Sequence, residues 1–299
     1  MYTRRAFLKS TSLYSAGVLA APYLPSWANN TPIGLQLYTV RDQMKADPKG
    51  TLAKVAEIGF NSLEGATYTG TQNFYGMDPE TFTAVLKGNG QVMRSCHYRL
   101  GEFGEARDLK DGVFKGTILH EWGKAVDDAA AVGIKYMVCA WLHEKERLGL
   151  DHYKKMAGDF NRAAERCKKA GIQFCYHNHD FEFNAQNGKY PYDVLLENTD
   201  PQLVKMEMDI YWVTKAGQDP LKLIDRHPGR FPLWHLKDMD NTPKHNFTEV
   251  GNGIIDFKRI FAHREKAGMK YFFVEQDYCP GSPFDSITKS IHYIKANLV

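Results

Sequence analysis

The stretch 172–183 holds the side chains of this sequence that are best suited to chemistry. Alternating residues in its first half predict a buried strand, and His177 and His179 follow where that strand ends. Side chains two apart on a strand share a face, so both imidazoles point the same way. Asp180 and Glu182 come just beyond them. Two imidazoles with nearby carboxylates indicate a site for a divalent metal, although a histidine pair on a solvated loop would give the same pattern.

Polar side chains also end the strands predicted on either side of this stretch. Strands two to four end in Glu64, His97 and Trp141 with His143; strands six to eight carry Glu207 with Asp209, His235 with Lys237 and Asp238, and Glu275 with Asp277. Alternation places Glu207 and Asp209, His235 and Lys237, and Glu275 and Asp277 on shared strand faces. One such residue is more often a satisfied structural residue than a ligand. Buried charges on four consecutive strands need partners or a metal, and this run therefore favours a functional site over core filling.

Strand and helix patterns alternate without a break from Pro32 to the end of the chain. The predicted strands are 33–38, 60–65, 92–98, 134–142, 172–177, 205–210, 231–236 and 271–276. The predicted helices are 48–58, which Gly59 closes, 79–87, 116–132, 151–170, 191–198, 220–226, 255–267 and 285–296. Repeated units of a strand and then a helix require parallel pairing and right-handed crossovers. Eight of them predict an α/β fold, a single-domain (β/α)8 TIM barrel over residues 32–299, with a doubly wound open sheet as the alternative.

Residues 1–31 have the composition of an export signal. Arg4 and Arg5 precede a short apolar run, which ends at a small-residue exit around Ala28. The run is shorter than the roughly 20 apolar residues that a membrane span needs. The sequence therefore predicts a twin-arginine signal peptide and export to the periplasm. It predicts no membrane association after the signal has been removed.

The charge balance argues against nucleic acid as a partner. The chain has 38 Lys and Arg against 35 Asp and Glu. The signal contains Arg4, Arg5 and Lys9 and no acid, and 38 less these three leaves 35 basic residues against 35 acidic ones. A formally neutral chain offers no basic patch for a phosphate backbone. An uncharged small molecule suits this balance better.

Five sequence blocks carry a resemblance to a known family. They are His177-Asn178-His179-Asp180-Phe181-Glu182-Phe183, Met208-Asp209-Ile210-Tyr211-Trp212, Trp234-His235-Leu236-Lys237-Asp238, Val250-Gly251-Asn252-Gly253 and Val274-Glu275-Gln276-Asp277. In this order they resemble the sugar phosphate isomerase/epimerase family of xylose isomerase-like barrels. The resemblance covers essentially the whole chain after the signal. It implies one divalent metal ion (Mn, Zn, Co or Mg) and a barrel that can pair as a homodimer.

The resemblance also implies which residues bind the metal. The matching positions are His177, Asp209, His235 and Glu275. Ketose epimerases of this superfamily carry glutamate where this chain has His177, and the His-x-His pair resembles the inosose dehydratases instead. This difference argues against an epimerase with two symmetrical carboxylates. A histidine base beside a metal suits removal of the proton next to a ketone. Spacing alone leaves open which of His177 and His179 is the ligand.

The expected function is that of an exported, metal-dependent isomerase, epimerase or lyase acting on a sugar or keto-sugar. In this hypothesis His179 is the general base, Lys237 stabilises oxyanion charge, and Glu275 has both a catalytic and a metal-binding role. The expected sugar contacts are Glu64, His97, Trp141, Glu182 and Trp212. Rim aromatics suit stacking on a sugar or ordinary packing; they are Tyr38, Tyr68, Phe74, Tyr75, Trp141, Tyr211, Trp212 and Tyr278.

Two alternatives remain at this point. A non-catalytic carbohydrate-binding barrel would keep the fold without the chemistry, and the strand-five histidine could be a sign of that loss. A phosphodiesterase resembling the apurinic endonucleases would need three metals and a histidine three residues after the strand-six Asp. That position holds Trp212 here.

Overall fold

The computed structural model describes residues 32–101, 109–110 and 113–299. Its main sheet consists of β1 (Gly34–Gln36), β2 (Ser62–Gly65), β3 (Val92–Arg99), β4 (Tyr136–Trp141), β5 (Gln173–His177), β6 (Val204–Asp209), β7 (Leu233–Leu236) and β8 (Tyr271–Val274). All eight strands are parallel, and β1 pairs with β8 to close a barrel. The predicted (β/α)8 fold is confirmed, and the open-sheet alternative is wrong. The predicted signal peptide, residues 1–31, lies outside the described residues.

Helices follow the strands around the barrel. They are α1 (Arg41–Ala46), α2 (Pro48–Ile58), α3 (Pro79–Gly88), α4 (Trp122–Val132), α5 (Leu150–Lys169), α6 (Pro191–Asn198), α7 (Ile210–Lys215), α8 (Pro220–Arg226), α9 (Phe257–Phe261), α10 (Arg264–Ala267) and α11 (Pro283–Asn297). The predicted stop at Gly59 is present, because this residue has a φ of 113° and ends α2 in the left-handed conformation. Within the described ranges, no helix combines the length and the apolar character that a membrane crossing requires.

Two predicted helices have different bounds in the structure. The helix predicted over 116–132 begins only at Trp122, because the His120 N–H donates to the Thr117 carbonyl and closes a turn before it. The helix predicted over 255–267 is two helices, α9 and α10. The His263 N–H donates to the carbonyl three residues earlier, a tighter bond than the α-helical one, and separates them.

A helix that the sequence analysis did not predict follows β6 directly. α7 begins at Ile210, and the Asp209 side chain accepts a hydrogen bond from the Trp212 N–H at 2.9 Å. Asp209 is therefore both the last residue of a barrel strand and the N-cap of a helix. The cap uses Oδ1 and fixes the direction of the carboxylate, so that Oδ2 stays available to the site.

The loop after β7 is built around a carboxylate of the protein itself. Asp238 accepts hydrogen bonds from the backbone N–H groups of Met239, Gly251, Gly253 and Ile255 at 2.8–3.1 Å. A Cβ at Gly253 would lie 2.3 Å from Asp238 Oδ1, so only glycine allows this approach. The Val-Gly-Asn-Gly block therefore wraps Asp238.

Candidate metal centre and active site

The barrel interior changes from apolar to polar along the strands. Val138, Cys175, Leu233 and Phe273 form a buried apolar cluster of their own. Two residues further along β5, β7 and β8 stand His177, His235 and Glu275, all buried. Side chains two apart share a face of the strand, so the polar residues lie directly above this apolar floor. The polar layer is therefore at the carboxyl ends of the strands, where barrel enzymes place their chemistry.

Four ligand atoms converge in this layer. His177 Nε2, Asp209 Oδ2, His235 Nδ1 and Glu275 Oε2 all lie within 4.8 Å of one another. Four neighbouring pairs are separated by 3.1, 3.3, 3.7 and 2.9 Å. Ligands about 2.1 Å from a tetrahedral ion lie about 3.4 Å apart, which these separations match well. Asp209 Oδ2 is also buried without a well-aligned hydrogen bond. The donor set fits a divalent cation.

The protonation states around this set suit metal binding. Burial lowers the pKa of His177 to about 4, so its imidazole is neutral at pH 7. Burial alone would raise the pKa values of Asp209 and Glu275, but the Lys237 ammonium lowers both below their usual range. Burial alone would lower the pKa of His235, and the carboxylates of Glu207, Glu275 and Glu64 raise it instead. A metal would displace the proton from the His235 nitrogen that it binds.

Lys237 is a buried cation beside the ligand atoms. Its Nζ lies 2.6 Å from Glu275 Oε2, 2.6 Å from Asp277 Oδ2 and 3.1 Å from Asp209 Oδ2. Burial alone would lower its pKa, but the three carboxylates raise it well above the ordinary value. Lys237 is therefore a fixed positive charge, held by Asp277 from one side and by two of the candidate ligands from the other.

His179 lies next to the four ligand atoms but contributes none of them. Its ring is parallel to Phe181 at 5.3 Å, and it lies 5.6 Å from Trp212 and 4.9 Å from His177 between ring centroids. Its Nδ1 is buried and has no hydrogen-bond partner. Burial lowers the pKa of His179 well below the ordinary value, and His177 and Lys237 lower it further. His179 is thus a neutral imidazole with free basic capacity.

Glu182 does not lie where the sequence analysis expected a sugar contact. The carboxylate is fully buried, accepts a hydrogen bond from the Tyr176 hydroxyl at 2.5 Å and another from the His179 N–H at 2.9 Å. Both oxygens are therefore used inside the protein. Burial raises the pKa of Glu182 to about 7. We revise the expectation, because this residue supports the His179 backbone rather than the substrate.

The raised pKa of Glu182 makes a prediction about stability and pH. The unfolded chain releases this proton near pH 4.5 and the folded chain near pH 7, so rising pH destabilises the fold between these values. At about 1.4 kcal/mol per pKa unit, the loss is on the order of 3 kcal/mol. Glu182→Gln should remove most of that decline in urea unfolding measured at pH 5 and pH 8. The same change at the exposed Glu165 should leave the decline intact, and equal declines in wild type and Glu182→Gln would contradict the prediction.

Glu64 and His97 belong to a second polar set below the first. His97 Nε2 lies 2.9 Å from Glu207 Oε2, and Glu64 Oε2 lies 2.5 Å from His235 Nε2 and 2.8 Å from Gln36 Nε2. Glu64 and Glu207 are fully buried, and His97 is 9% exposed. Burial raises the pKa of Glu207 to about 8; it would lower that of His97, but Glu64 and Glu207 raise it to about 9. The expectation that Glu64 binds sugar hydroxyls is therefore revised, and the burial of His97 argues against the same role for it.

The rim aromatics divide into an exposed and a buried group, which is compatible with their two predicted roles, stacking on a sugar and ordinary packing. Trp141 is 44% exposed, Tyr38 41% and Tyr278 66%, while Trp212 is half-buried against Tyr211 and Phe247. Tyr68, Phe74 and Tyr211 are core residues, and the Tyr75 hydroxyl accepts a hydrogen bond from the Ala66 N–H. Tyr38 and Tyr278 follow β1 and β8, and Trp141 is the last residue of β4, so these exposed aromatics stand on the same end of the barrel as the ligand atoms.

Sequence reasoning assigned no role to several residues that the structure brings into the site. Gln36 ends β1 and bonds to Glu64, and Asn178 binds the Asp209 backbone N–H through its Oδ1 at 3.1 Å. Glu207 and Asp277 were placed on the correct strand faces without a partner. Gln36 had a readable signal, because it is a polar residue between Leu35 and Leu37 in a strand pattern.

Residues 52–296 match the family described as xylose isomerase-like TIM barrel. The chain belongs to this family. A curated relative, the inosose dehydratase of Lacticaseibacillus casei, is 27% identical over 272 residues, which cover 81% of this chain and 89% of the relative. The solved sugar phosphate isomerase/epimerase from Parabacteroides distasonis ATCC 8503 is 27% identical with a TM-score of 0.75, and covers 89% of this chain and 98% of its own.

A more distant member of the same fold was solved with a bound metal. The IOLI protein with a binding zinc atom has a TM-score of 0.66 over 88% of this chain and 96% of its own, at 12% identity. That likeness concerns the fold. The names of the relatives support an enzyme of the isomerase, epimerase or dehydratase type for this chain.

Proposed function

We propose that this protein is a metal-dependent enzyme that removes a proton next to the carbonyl of a sugar or keto-sugar. The observation that carries the proposal is the convergence of His177, Asp209, His235 and Glu275 beside His179, whose buried Nδ1 has no partner. A ligand set and a neutral base side by side are the two parts that enolisation requires.

The proposal gives each of the four converging residues the role of a metal ligand. His177 and His235 would bind through Nε2 and Nδ1, and Asp209 and Glu275 through one carboxylate oxygen each. A bound divalent ion would polarise the substrate carbonyl and offset the negative charge that enolisation creates. Because Asp209 is fixed as the cap of α7 and His177 ends β5, the donors are held in place before any ion arrives.

His179 would act as the general base. Its lowered pKa keeps the imidazole unprotonated at neutral pH, so it can accept a proton without first losing one. The parallel ring of Phe181 and the Glu182 contact with its backbone hold the base in one orientation. Phe181 and Trp212 also pack beside the ring, at 5.3 and 5.6 Å between ring centroids.

Lys237 would stabilise the oxygen of the enolised substrate. Its positive charge is secured by three carboxylates, and its Nζ lies 5.5 Å from the centroid of the Trp212 ring, which also packs beside His179. A fixed ammonium at this place offsets oxyanion charge without the reorganisation that a flexible surface lysine would need.

The reaction after proton removal can end in two ways. Protonated His179 can deliver the proton to a neighbouring carbon, which gives isomerisation, or a second donor can protonate the opposite face of the same carbon, which gives epimerisation. Alternatively the electron pair expels a leaving group from the adjacent carbon, which gives elimination. The names of the two relatives, an inosose dehydratase and a sugar phosphate isomerase/epimerase, correspond to these two outcomes. We propose this shared first step and leave both endings as products to be measured.

We further propose that the substrate is an uncharged carbohydrate met after export. The predicted signal at 1–31 supports a periplasmic location, where phosphorylated sugars are scarce. The balance of 35 basic and 35 acidic residues after its removal supports an uncharged ligand. Tyr38, Trp141 and Tyr278 are exposed aromatic residues at the carboxyl end of the barrel, the end that holds the ligand atoms, which suits stacking on a sugar ring.

Metal removal tests this proposal. Purified protein should contain about one divalent ion per chain, and a panel of keto-sugars with and without EDTA should give turnover that chelation abolishes. Adding back Mn²⁺, Zn²⁺, Co²⁺ or Mg²⁺ one at a time would then rank the metals. Turnover that survives complete chelation would contradict the metal mechanism. Sugar binding without turnover of any sugar in the metal-loaded protein would favour the non-catalytic barrel.

A further inference from the structure

The His235 ring stands between the two polar sets of the barrel interior. Its Nδ1 faces His177, Asp209 and Glu275, and its Nε2 faces Glu64 and Glu207. We infer that Glu64 is a positioning residue that holds the His235 proton on Nε2 and so leaves Nδ1 free for the metal. The inference rests on the metal site of the proposed function and assigns Glu64 a role toward that ion.

Glu64, and not Glu207, makes the decisive contact. Glu64 Oε2 lies 2.5 Å from His235 Nε2, while Glu207 Oε2 lies 3.4 Å away and is closer to His97, at 2.9 Å. A separation of 2.5 Å between a ring nitrogen and a carboxylate oxygen requires a shared proton. Glu207 is too distant to compete for it.

The direction of this hydrogen bond follows from the other partner of the same oxygen. Gln36 Nε2 donates to Glu64 Oε2 at 2.8 Å, and the Gln36 side-chain oxygen accepts from the Tyr38 N–H at 3.0 Å. The backbone contact fixes which end of the amide faces Glu64. Two donors therefore converge on one accepting oxygen, and His235 Nε2 must be the second donor.

The lower set is held by protons and not by a second metal. Its four atoms are Glu64 Oε2, His97 Nε2, Glu207 Oε2 and His235 Nε2. The 2.5 Å separation of Glu64 and His235 is well below the roughly 3.4 Å expected between two ligands of one four-coordinate ion. In the upper set, His235 Nδ1 and Glu275 Oε2 lie 2.9 Å apart. Among the residues that the structure describes, the upper set is thus suited to binding a cation, and the lower set orients the His235 ring that belongs to both sets.

The contact also crosses the barrel. Glu64 is on β2 and His235 on β7, with β1 and β8 between them in the closed sheet. The imidazole is therefore contacted from a strand that does not pair with β7. A carboxylate behind a metal-bound histidine fixes the tautomer and the ring orientation, and its loss typically weakens metal affinity 10- to 100-fold.

Glu64→Gln tests the role with little change of shape, because it removes the carboxylate charge that attracts the His235 Nε2 proton. We expect the dissociation constant for Zn²⁺, measured by competition titration, to rise about 10- to 100-fold. Glu207→Gln makes the same chemical change in the same buried network and should move it far less. Thermal unfolding of the two metal-free variants checks that both fold.

A spectroscopic measurement on the wild-type chain does not depend on any variant. With ¹⁵N-labelled histidine and bound Zn²⁺, His235 should show a proton on Nε2 and none on Nδ1. Equal zinc affinity in Glu64→Gln and wild type, a His235 Nε2 without a proton, or two zinc ions per chain would overturn the inference. A wild-type chain that binds no zinc would contradict the proposed metal site itself, and this inference with it.

Discussion

Asp209→Asn is expected to empty the metal site while the fold survives. Asparagine keeps an oxygen to accept from the Trp212 N–H, so the cap of α7 remains. The variant loses the charge of the carboxylate whose Oδ2 belongs to the four-atom set. Bound metal, counted by elemental analysis, should fall from about one ion per chain to almost none. Turnover should fall by at least about 10³-fold, because polarisation by a metal supplies several kcal/mol of barrier lowering.

A second helix of this chain offers a matched control for that experiment. The Asp219 side chain caps α8 by accepting from the Leu221 N–H, as Asp209 caps α7, but it is not among the candidate ligands. Asp219→Asn makes the same change to a cap and should leave metal content and turnover at the wild-type level. If Asp209→Asn still held a full complement of metal, the ligand assignment would be wrong.

His179→Ala is expected to separate catalysis from metal binding. His179 contributes none of the four converging atoms, so the variant should retain about one ion per chain. Its turnover should fall about 10²- to 10⁴-fold, which is the usual contribution of a positioned general base. The measurement combines initial rates on an accepted keto-sugar with metal counting on the same preparation.

The neighbouring histidine gives the outcome that would reverse this assignment. His177→Ala should lose metal, because His177 Nε2 lies 3.3 Å from Asp209 Oδ2 and 3.1 Å from His235 Nδ1. The exposed His152 on α5 serves as a control, and His152→Ala should change neither quantity. Should His179→Ala empty the site and His177→Ala retain the metal, the two histidines would have the opposite roles.

The fold could be predicted from sequence because its signals are local and repeated. Each strand is a short, largely apolar run. Glycines such as Gly59 end the helices because they adopt the left-handed backbone conformation that a helix end often requires. Helix starts were harder. The predicted start of α4 at residue 116 was wrong. The turn ending at His120 depends on one hydrogen bond to Thr117, and such a bond produces no periodic pattern of apolar residues in the sequence.

Strand geometry predicted which side chains of the site share a face of one strand, and no more of the site than that. Alternation indicated that His235 and Lys237 share a face, as do Glu275 and Asp277, and the structure brings these side chains together. The local sequence does not show which side chains from different strands lie close together across the barrel. Glu64 and His235 are 171 residues apart in the sequence. The sequence pattern therefore placed a carboxylate at the end of a strand but could not show that its partner is the His235 ring.

Burial also separated residues that look alike in the sequence. Glu182 stands three residues after His179 and was expected to contact sugar. It points inward to the Tyr176 hydroxyl because the short 3-10 turn at Phe181–Phe183 folds its side chain under the base. No composition or spacing rule distinguishes a buried supporting carboxylate from one that faces the substrate.

Hydrogen exchange at the substrate carbon tests the central claim most directly. Keto-sugars are incubated in deuterated water with the metal-loaded enzyme, and the carbon next to the carbonyl is examined for deuterium by NMR. We expect label at one such carbon, no label after EDTA treatment, and greatly slowed labelling in His179→Ala. Metal-loaded protein that binds a keto-sugar and leaves every such carbon unlabelled would contradict proton abstraction as the function of this site.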